Sequence, residues 1–413
     1  MRRRALVGAL ALALAVAGLA AGPMEPARAQ AEEPCLQPQP LIDGSGNALV
    51  ERLGLEKAWQ LTRGEGVTVA VIDSGVDADN AHLQGAIAGG QTTYTVGPDQ
   101  NPSVDPGADL YGHGTAAAGL IAARPIDGSD VVGVAPAAKI LSLRAFQVAS
   151  TEDQQNVGPS AASVANAIRI AADRGAQVIN LSLSQATPSA DIQGAVEYAQ
   201  GRGALIVASA GNRGTSEEDA EGVRYPAALD GVLGVSAVTL AGEWDFGASF
   251  AGEHVDVVAP GQALLAPWCG GGDTGLGEQV SASWATAVVS GIAALVASAH
   301  PDESPEQWAH RIMATALRTT PDARKDTIGW GEARPYEAVA FVDDGGVPGP
   351  ESPVHERPAD VVIDRSEIRI EAPRDPLAGA REVVAWTLAG GVAVSLTALV
   401  IGRLGARRPI RRR

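Results

Sequence analysis

The chain has 413 residues, 46% of them hydrophobic, and a formal net charge of −17. That length holds one large domain with appendages, and that apolar fraction supports a sizeable core. With the two ends described below set aside, residues 30–382 carry 21 basic and 47 acidic side chains, a balance of −26. So acidic a body is unsuited to nucleic acid or to an anionic membrane surface, and its charge is read as serving solubility.

The chain opens on Met1-Arg2-Arg3-Arg4, an apolar run over 5–22, and the small-residue site Ala27-Arg28-Ala29. Residues 1–29 read as a secretory signal peptide. An uncleaved N-terminal anchor is the alternative, and the cleavage site favours removal. Residues 30–62 form a polar, Pro-containing extension that ends in a helical pattern at 53–61. A buried-strand run follows over Val67–Ile72, and similar short runs recur at 139–145, 177–183, 204–209, 232–238 and 255–258. Helical spacing lies between them, at 161–173 and 191–202. Strand and helix in alternation predict an α/β fold whose mostly parallel sheet is covered by helices on both faces. Residues 283–299 predict a helix apolar nearly all round, and therefore buried. The folded domain is assigned to 63–342.

From 343 to 382 prolines and charges replace large apolar residues, as in a linker. Val383–Gly402 is 20 residues without a charge, long enough to span a bilayer as a helix. Six arginines follow it in 403–413, which predicts a cytoplasmic C-terminus and an extracytoplasmic body. Cys35 and Cys269 are the only cysteines. An even pair in an exported chain suggests one disulfide, with two free thiols as the alternative. No ligand-spaced cluster accompanies them, so neither a metal site nor a cofactor is expected.

Ligands of open parallel sheets bind beyond the carboxyl ends of the strands. Four stretches stand there. Asp73 ends the first run and by itself reads as a turn cap. His113 lies between Gly112 and Gly114 at the start of a small-residue helix. Asn212 closes Ala208-Ser209-Ala210-Gly211-Asn212 after the run at 204–209. Ser283 opens the buried helix, where either it or Ser281 serves as an N-cap, or Ser283 is a nucleophile beside the helix's positive end. His82, His254, His300, His310 and His355 have no motif partner and read as surface or packing residues. The acidic run Glu217, Glu218, Asp219 and Glu221 reads as a solvated loop that could disfavour acidic peptides.

In the order Asp, His, Asn, Ser, the stretches VIDSGVD, HGTAAAG, ASAGN and SASWATAVVSG resemble the motifs of subtilisin-like serine proteases. The resemblance runs from about Gly64 to Phe341. The signal peptide, short extension, Pro-rich stalk, single anchor and basic tail, with Gly329-Trp330-Gly331 and Pro335-Tyr336-Glu337-Ala338-Val339, narrow it to mycosins, membrane-anchored proteases of type VII secretion. The resemblance implies a three-layer subtilisin-like domain and a serine endopeptidase beside a secretion channel. Ser283 would be the nucleophile, His113 the general base and Asp73 its orienting partner, with an oxyanion hole from Asn212 and the Ser283 N–H. Leu181, Ser182 and Leu183 would dock a polypeptide substrate as an added strand, and Ala210 and Gly211 would line a pocket suited to an apolar side chain. A Cys35–Cys269 bond would pin the extension to the loop before the Ser motif. Type VII membrane components are the implied partners.

The Ser motif departs from the family pattern. Ser281 stands for Gly, Ala282 for Thr and Ala287 for Pro, and Trp284 puts a large ring in an apolar slot. A Gly before the nucleophile permits backbone conformations that Ser281 adopts less freely, and Ala282 lacks a hydroxyl donor. Ser184 and Gln185 stand where relatives carry glycines. An intact triad with a relaxed Ser motif indicates a slow or selective enzyme. The contrasting reading is a weakly active or inactive subunit that braces the channel. An unrelated α/β esterase is disfavoured because no G-x-S-x-G surrounds Ser283.

Overall fold

A computed structural model describes residues 35, 39–95, 105–148, 158–214, 222–357 and 375–405. The proposed signal peptide, the acidic run at 217–221 and most of the basic tail lie outside the described residues.

Short runs of Val, Ile and Leu, buried on both sides, form the centre of a seven-stranded sheet. Its strands are β1 (Thr68–Asp73), β2 (Ile87–Thr92), β3 (Lys139–Arg144), β4 (Val178–Leu181), β5 (Leu205–Ser209), β6 (Val232–Val238) and β7 (Val257–Pro260). The order is β2-β3-β1-β4-β5-β6-β7, and every pair is parallel. Alternate residues point to opposite faces. Val69, Val71, Val178, Leu205 and Val207 join one core; Ala70, Ile72, Ile179, Ile206 and Ala208 join the other. The chain thus forms the three layers expected of an α/β fold. The strand pattern does not reveal β2, whose Ile-Ala-Gly-Gly-Gln-Thr has no apolar alternation because it is an edge.

The first core holds the extension helices α1 (Ala48–Leu53) and α2 (Leu55–Ala58), then α3 (His113–Ala122). The second is covered by α4 (Ala161–Asp173) and α5 (Ala190–Gln200). A hairpin of β8 (Leu265–Pro267) and β9 (Asp273–Gly275) follows the sheet. Next comes α6 (Ala282–Ala299), buried along almost its whole length in the first core. Gly291 is obligatory on α6, because a Cβ there would lie 2.6 Å from Val134. The last helices of the body are α7 (Pro305–Ala314) and α8 (Pro335–Ala340). The start of α7 carries a complete capping box from Ser304 and Gln307, a signature legible in Ser304-Pro305-Glu306-Gln307.

The extension is part of the body. Leu49, Leu53, Leu55 and Ala58 are core residues, and Trp59 Nε1 donates to the Val134 carbonyl at 2.8 Å. Cys35 and Cys269 are joined in a disulfide. Residues just past Phe341 also pack on the body: His310 lies between the Asp343 carboxylate, at 3.4 Å, and the Pro350 carbonyl, at 3.3 Å. The chain divides into two units, Met1–Pro358 and Ala359–Arg413. In the second, α9 (Ala378–Gly405) contains the uncharged 383–402 stretch and is long and apolar enough to cross a membrane. The hydroxyls of Thr387, Ser395 and Thr397 each donate to a carbonyl four residues earlier, so α9 satisfies them internally.

Asp256, before β7, gives the body a pH signature. Its Oδ2 accepts the Gly234 N–H at 2.8 Å, but burial outweighs that bond and pushes its carboxyl up to about 6. The folded state therefore binds a proton more tightly than the unfolded chain. Stability is greatest below about pH 4 for this group and falls as pH rises to about 6, by about 2–3 kcal/mol. The Asp256→Asn variant is expected to lose that slope and to melt higher than wild type at pH 7. Identical pH profiles of thermal unfolding would show that Asp256 does not carry it.

Candidate active site

The sheet order reverses about β1, whose neighbours β3 and β4 lead the chain to opposite sides, and the crevice at such a switch is where ligands bind. Asp73 ends β1 there, fully buried. Its two oxygens lie 2.8 and 2.9 Å from His113 Nδ1, and Oδ1 also accepts the Ser74 N–H at 2.7 Å. A carboxylate only accepts, so Nδ1 carries the proton and Nε2 is left as the basic nitrogen.

Two glycines hold His113 this close to β1. Gly112, at φ +90°, caps α3, and a Cβ on it would lie 2.5 Å from the Trp268 ring; a Cβ on Gly114 would lie 2.0 Å from the Gly75 carbonyl oxygen. Sequence reasoning missed Asp109, which organises this turn. Its Oδ1 accepts from Ser74 Oγ, Tyr111 N and Gly112 N, and its Oδ2 from the Thr115 N–H and hydroxyl, all at 2.7–3.0 Å. The available signal was an acid four residues before His113.

Ser283 is the second residue of α6. Its hydroxyl donates to the Ser182 carbonyl at 3.3 Å, and Ser182 Oγ donates back to the Ser283 carbonyl at 2.9 Å. Ser281 stands at the N-cap position but its side chain makes no bond to the helix start, and Ser283 lies inside the first turn. Asn212 makes that bond, accepting the Ala282 N–H on Oδ1 at 2.6 Å. Its Nδ2 lies 3.4 Å from Ser281 Oγ. The backbone of Ser281 is extended, φ −133° and ψ 124°, so this position needs no glycine. The close approach is made by Gly261, where a Cβ would meet the Ser281 carbonyl at 2.3 Å. Without a proline at 287, α6 continues unbroken to Ala299.

The expected substrate edge lies beside Ser283. The side chains of Leu181 and Ala210 are wholly inside, Ser182 is committed to α6, and Leu183 is half-buried. What this edge offers is therefore mainly backbone. Gly211 is at φ +92°, with Ser184 Oγ, Arg224 Cγ and Phe250 Cδ2 all 3.0–3.1 Å from where a Cβ would stand. His82, His254 and His310 are buried and His300 is half-buried, which agrees with packing roles. His82 nevertheless has a partner, Asp273 on β9, with Nε2 3.0 Å from Oδ1.

A parallel sheet with a buried Asp–His pair and a serine-led helix at its switch point is the architecture of a serine peptidase. Comparison with known proteins agrees. The model of the Subtilase family, Peptidase_S8, matches residues 64–331. Mycosin-4 of Mycobacterium tuberculosis is 33% identical over 389 residues, covering 86% of this chain and 81% of that protein. Thermitase of Thermoactinomyces vulgaris is 33% identical over 297 residues, 70% of this chain and 95% of the relative. Among solved structures, the MycP3 protease from the type VII (ESX-3) secretion system aligns with a TM-score of 0.61 at 29% identity, over 74% of this chain and 95% of that one. A chain of the periplasmic assembly from the ESX-5 inner membrane complex aligns with a TM-score of 0.64 at 25% identity, over 82% and 93%. The chain belongs to the subtilase family, as a mycosin-type serine endopeptidase.

Proposed function

We propose that the protein is a membrane-anchored, extracytoplasmic endopeptidase that acts with a type VII secretion system through an Asp73–His113–Ser283 triad. The observation that carries the reading is the buried two-oxygen contact of Asp73 with His113 Nδ1, beside the start of α6. Ser283 Oγ attacks the scissile carbonyl while His113 Nε2 takes its proton; that proton then goes to the leaving amine, and water releases the acyl group by the same route reversed. Asp73 holds the tautomer and balances the imidazolium. Asn212 Nδ2 and the Ser283 N–H face the oxyanion. Substrate adds along the edge of Leu181–Leu183, with Ala210 and Gly211 at the pocket. A signal peptide at 1–29 exports the body, α9 anchors it, and the arginines after it hold the C-terminus in the cytoplasm.

The reading is tested by labelling the detergent-solubilised chain with a fluorophosphonate probe. Labelling at Ser283 that is absent from Ser283→Ala and His113→Ala variants is expected; none from a folded wild type would sink it. Asn212→Ala is expected to lower kcat by about 10²–10³ with KM little changed. A proportionate rise in KM would instead make Asn212 a ground-state binding residue. The likeness to a chain of the ESX-5 assembly also supports a bracing role, which predicts that a Ser283→Ala variant still sustains secretion.

A further inference from the structure

The ring that departs most from the family pattern lies directly on the proposed general base. The centroids of Trp284 and His113 are 4.6 Å apart and their planes are inclined by 33°. Trp284 is 7% exposed, so the contact is shielded from water. We propose that Trp284 is a positioning residue for His113, whose indole face keeps the imidazole against Asp73 and stabilises the imidazolium formed when Ser283 loses its proton. This deepens the catalytic reading above and rests on it.

An indole presents the most negative ring face among side chains, and a cation within about 6 Å of it is attracted, more strongly where water is excluded. His113 needs such help because it is the first residue of α3, where the positive end of the helix disfavours its cation. The other groups around it are assigned. From β1, Asp73 faces Nδ1. From the loop before α3, Tyr111 lies 6.1 Å away ring to ring, and Asp109 is engaged by Ser74, Gly112 and Thr115. From β3, Arg144 donates to the Ser74 carbonyl through Nε at 2.9 Å and to the Asp105 carbonyl through Nη1 at 3.0 Å. From α6, the residues at the helix start are uncharged. A leucine at 284 would give the same apolar cover without the negative ring face, so packing and cation stabilisation are separable.

The test uses the full chain in detergent with isotope-labelled histidine, His113 being assigned by the resonance lost in His113→Gln. The NMR titration midpoint of His113 is expected to fall by about half a pH unit in Trp284→Leu. It should return to within about 0.2 unit in Trp284→Phe, which keeps a ring. The acid limb of the fluorophosphonate labelling rate should move with it. Trp284→Met supplies the same comparison if leucine impairs folding. An unchanged or raised midpoint in the non-aromatic variants, or an equal fall in Trp284→Phe, would overturn the proposal. If the midpoint moves as expected while wild-type Ser283 never labels, the indole–imidazole coupling stands and the peptidase reading alone falls.

Discussion

Replacing Ser283 by alanine is expected to lower peptide hydrolysis on the order of 10⁶-fold, as loss of the nucleophile does in subtilisin, a member of the same family. The fold should survive. The Ser283 hydroxyl makes a long bond to the Ser182 carbonyl, 3.3 Å, whose loss costs about 1 kcal/mol. The His113→Ala variant should be impaired to a similar extent, and the double variant no further, because the two groups act on one proton in one step. Additive losses would mean that they do not work as a unit. Hydrolysis surviving within tenfold in Ser283→Ala would move the nucleophile elsewhere. Ser281, whose Oγ lies 3.4 Å from Asn212 Nδ2, is the nearest alternative.

The second large effect lies away from this chemistry. Asp273 is buried, and it ties three segments together. Its Oδ2 accepts the Ile42 N–H of the extension at 2.8 Å and the Ser129 hydroxyl at 2.7 Å, while Oδ1 faces His82 Nε2 at 3.0 Å. His82 Nδ1 lies 2.7 Å from the Arg124 carbonyl. That carbonyl only accepts, so Nδ1 donates to it. Alanine at 273 would leave two half-buried donors and a buried imidazole nitrogen without this partner. A loss of about 3–5 kcal/mol is expected, or roughly 10 °C in Tm for a body of this size. Asp273→Asn, which keeps an acceptor and offers His82 a donor, should lose much less. Limited proteolysis should cut the extension of Asp273→Ala first, near Ile42, with Cys35 still holding the freed segment. A change in stability below about 0.5 kcal/mol would make the pair incidental.

The resemblance itself was carried by short motifs, and these were legible because each is a local requirement. Asp73 follows a run of buried strand residues. His113 needs glycine on both sides because a ring and a carbonyl approach the backbone there. Asn212 closes β5, and Ser283 opens a helix too apolar to be anything but buried. The edge strand β2 was hidden because Gly89 and Gly90 carry no side-chain pattern. Asp109 was hidden because its five hydrogen bonds look like any polar loop until the turn is closed.

What the sequence by itself determined is the class of chemistry: the order of the motifs, the alternation that makes a covered parallel sheet, and the uncharged stretch within α9. Those signals depend on neighbours within a few residues, so they survive in one dimension. Only the tertiary structure decided that Ser281 needs no glycine, since Gly261 makes room for it. It alone set Trp284 on His113, 171 positions apart in the numbering. It also made His82 and Asp273 partners. Such pairs are chosen by packing two distant elements against a common core, and no residue near either one in the chain records the choice.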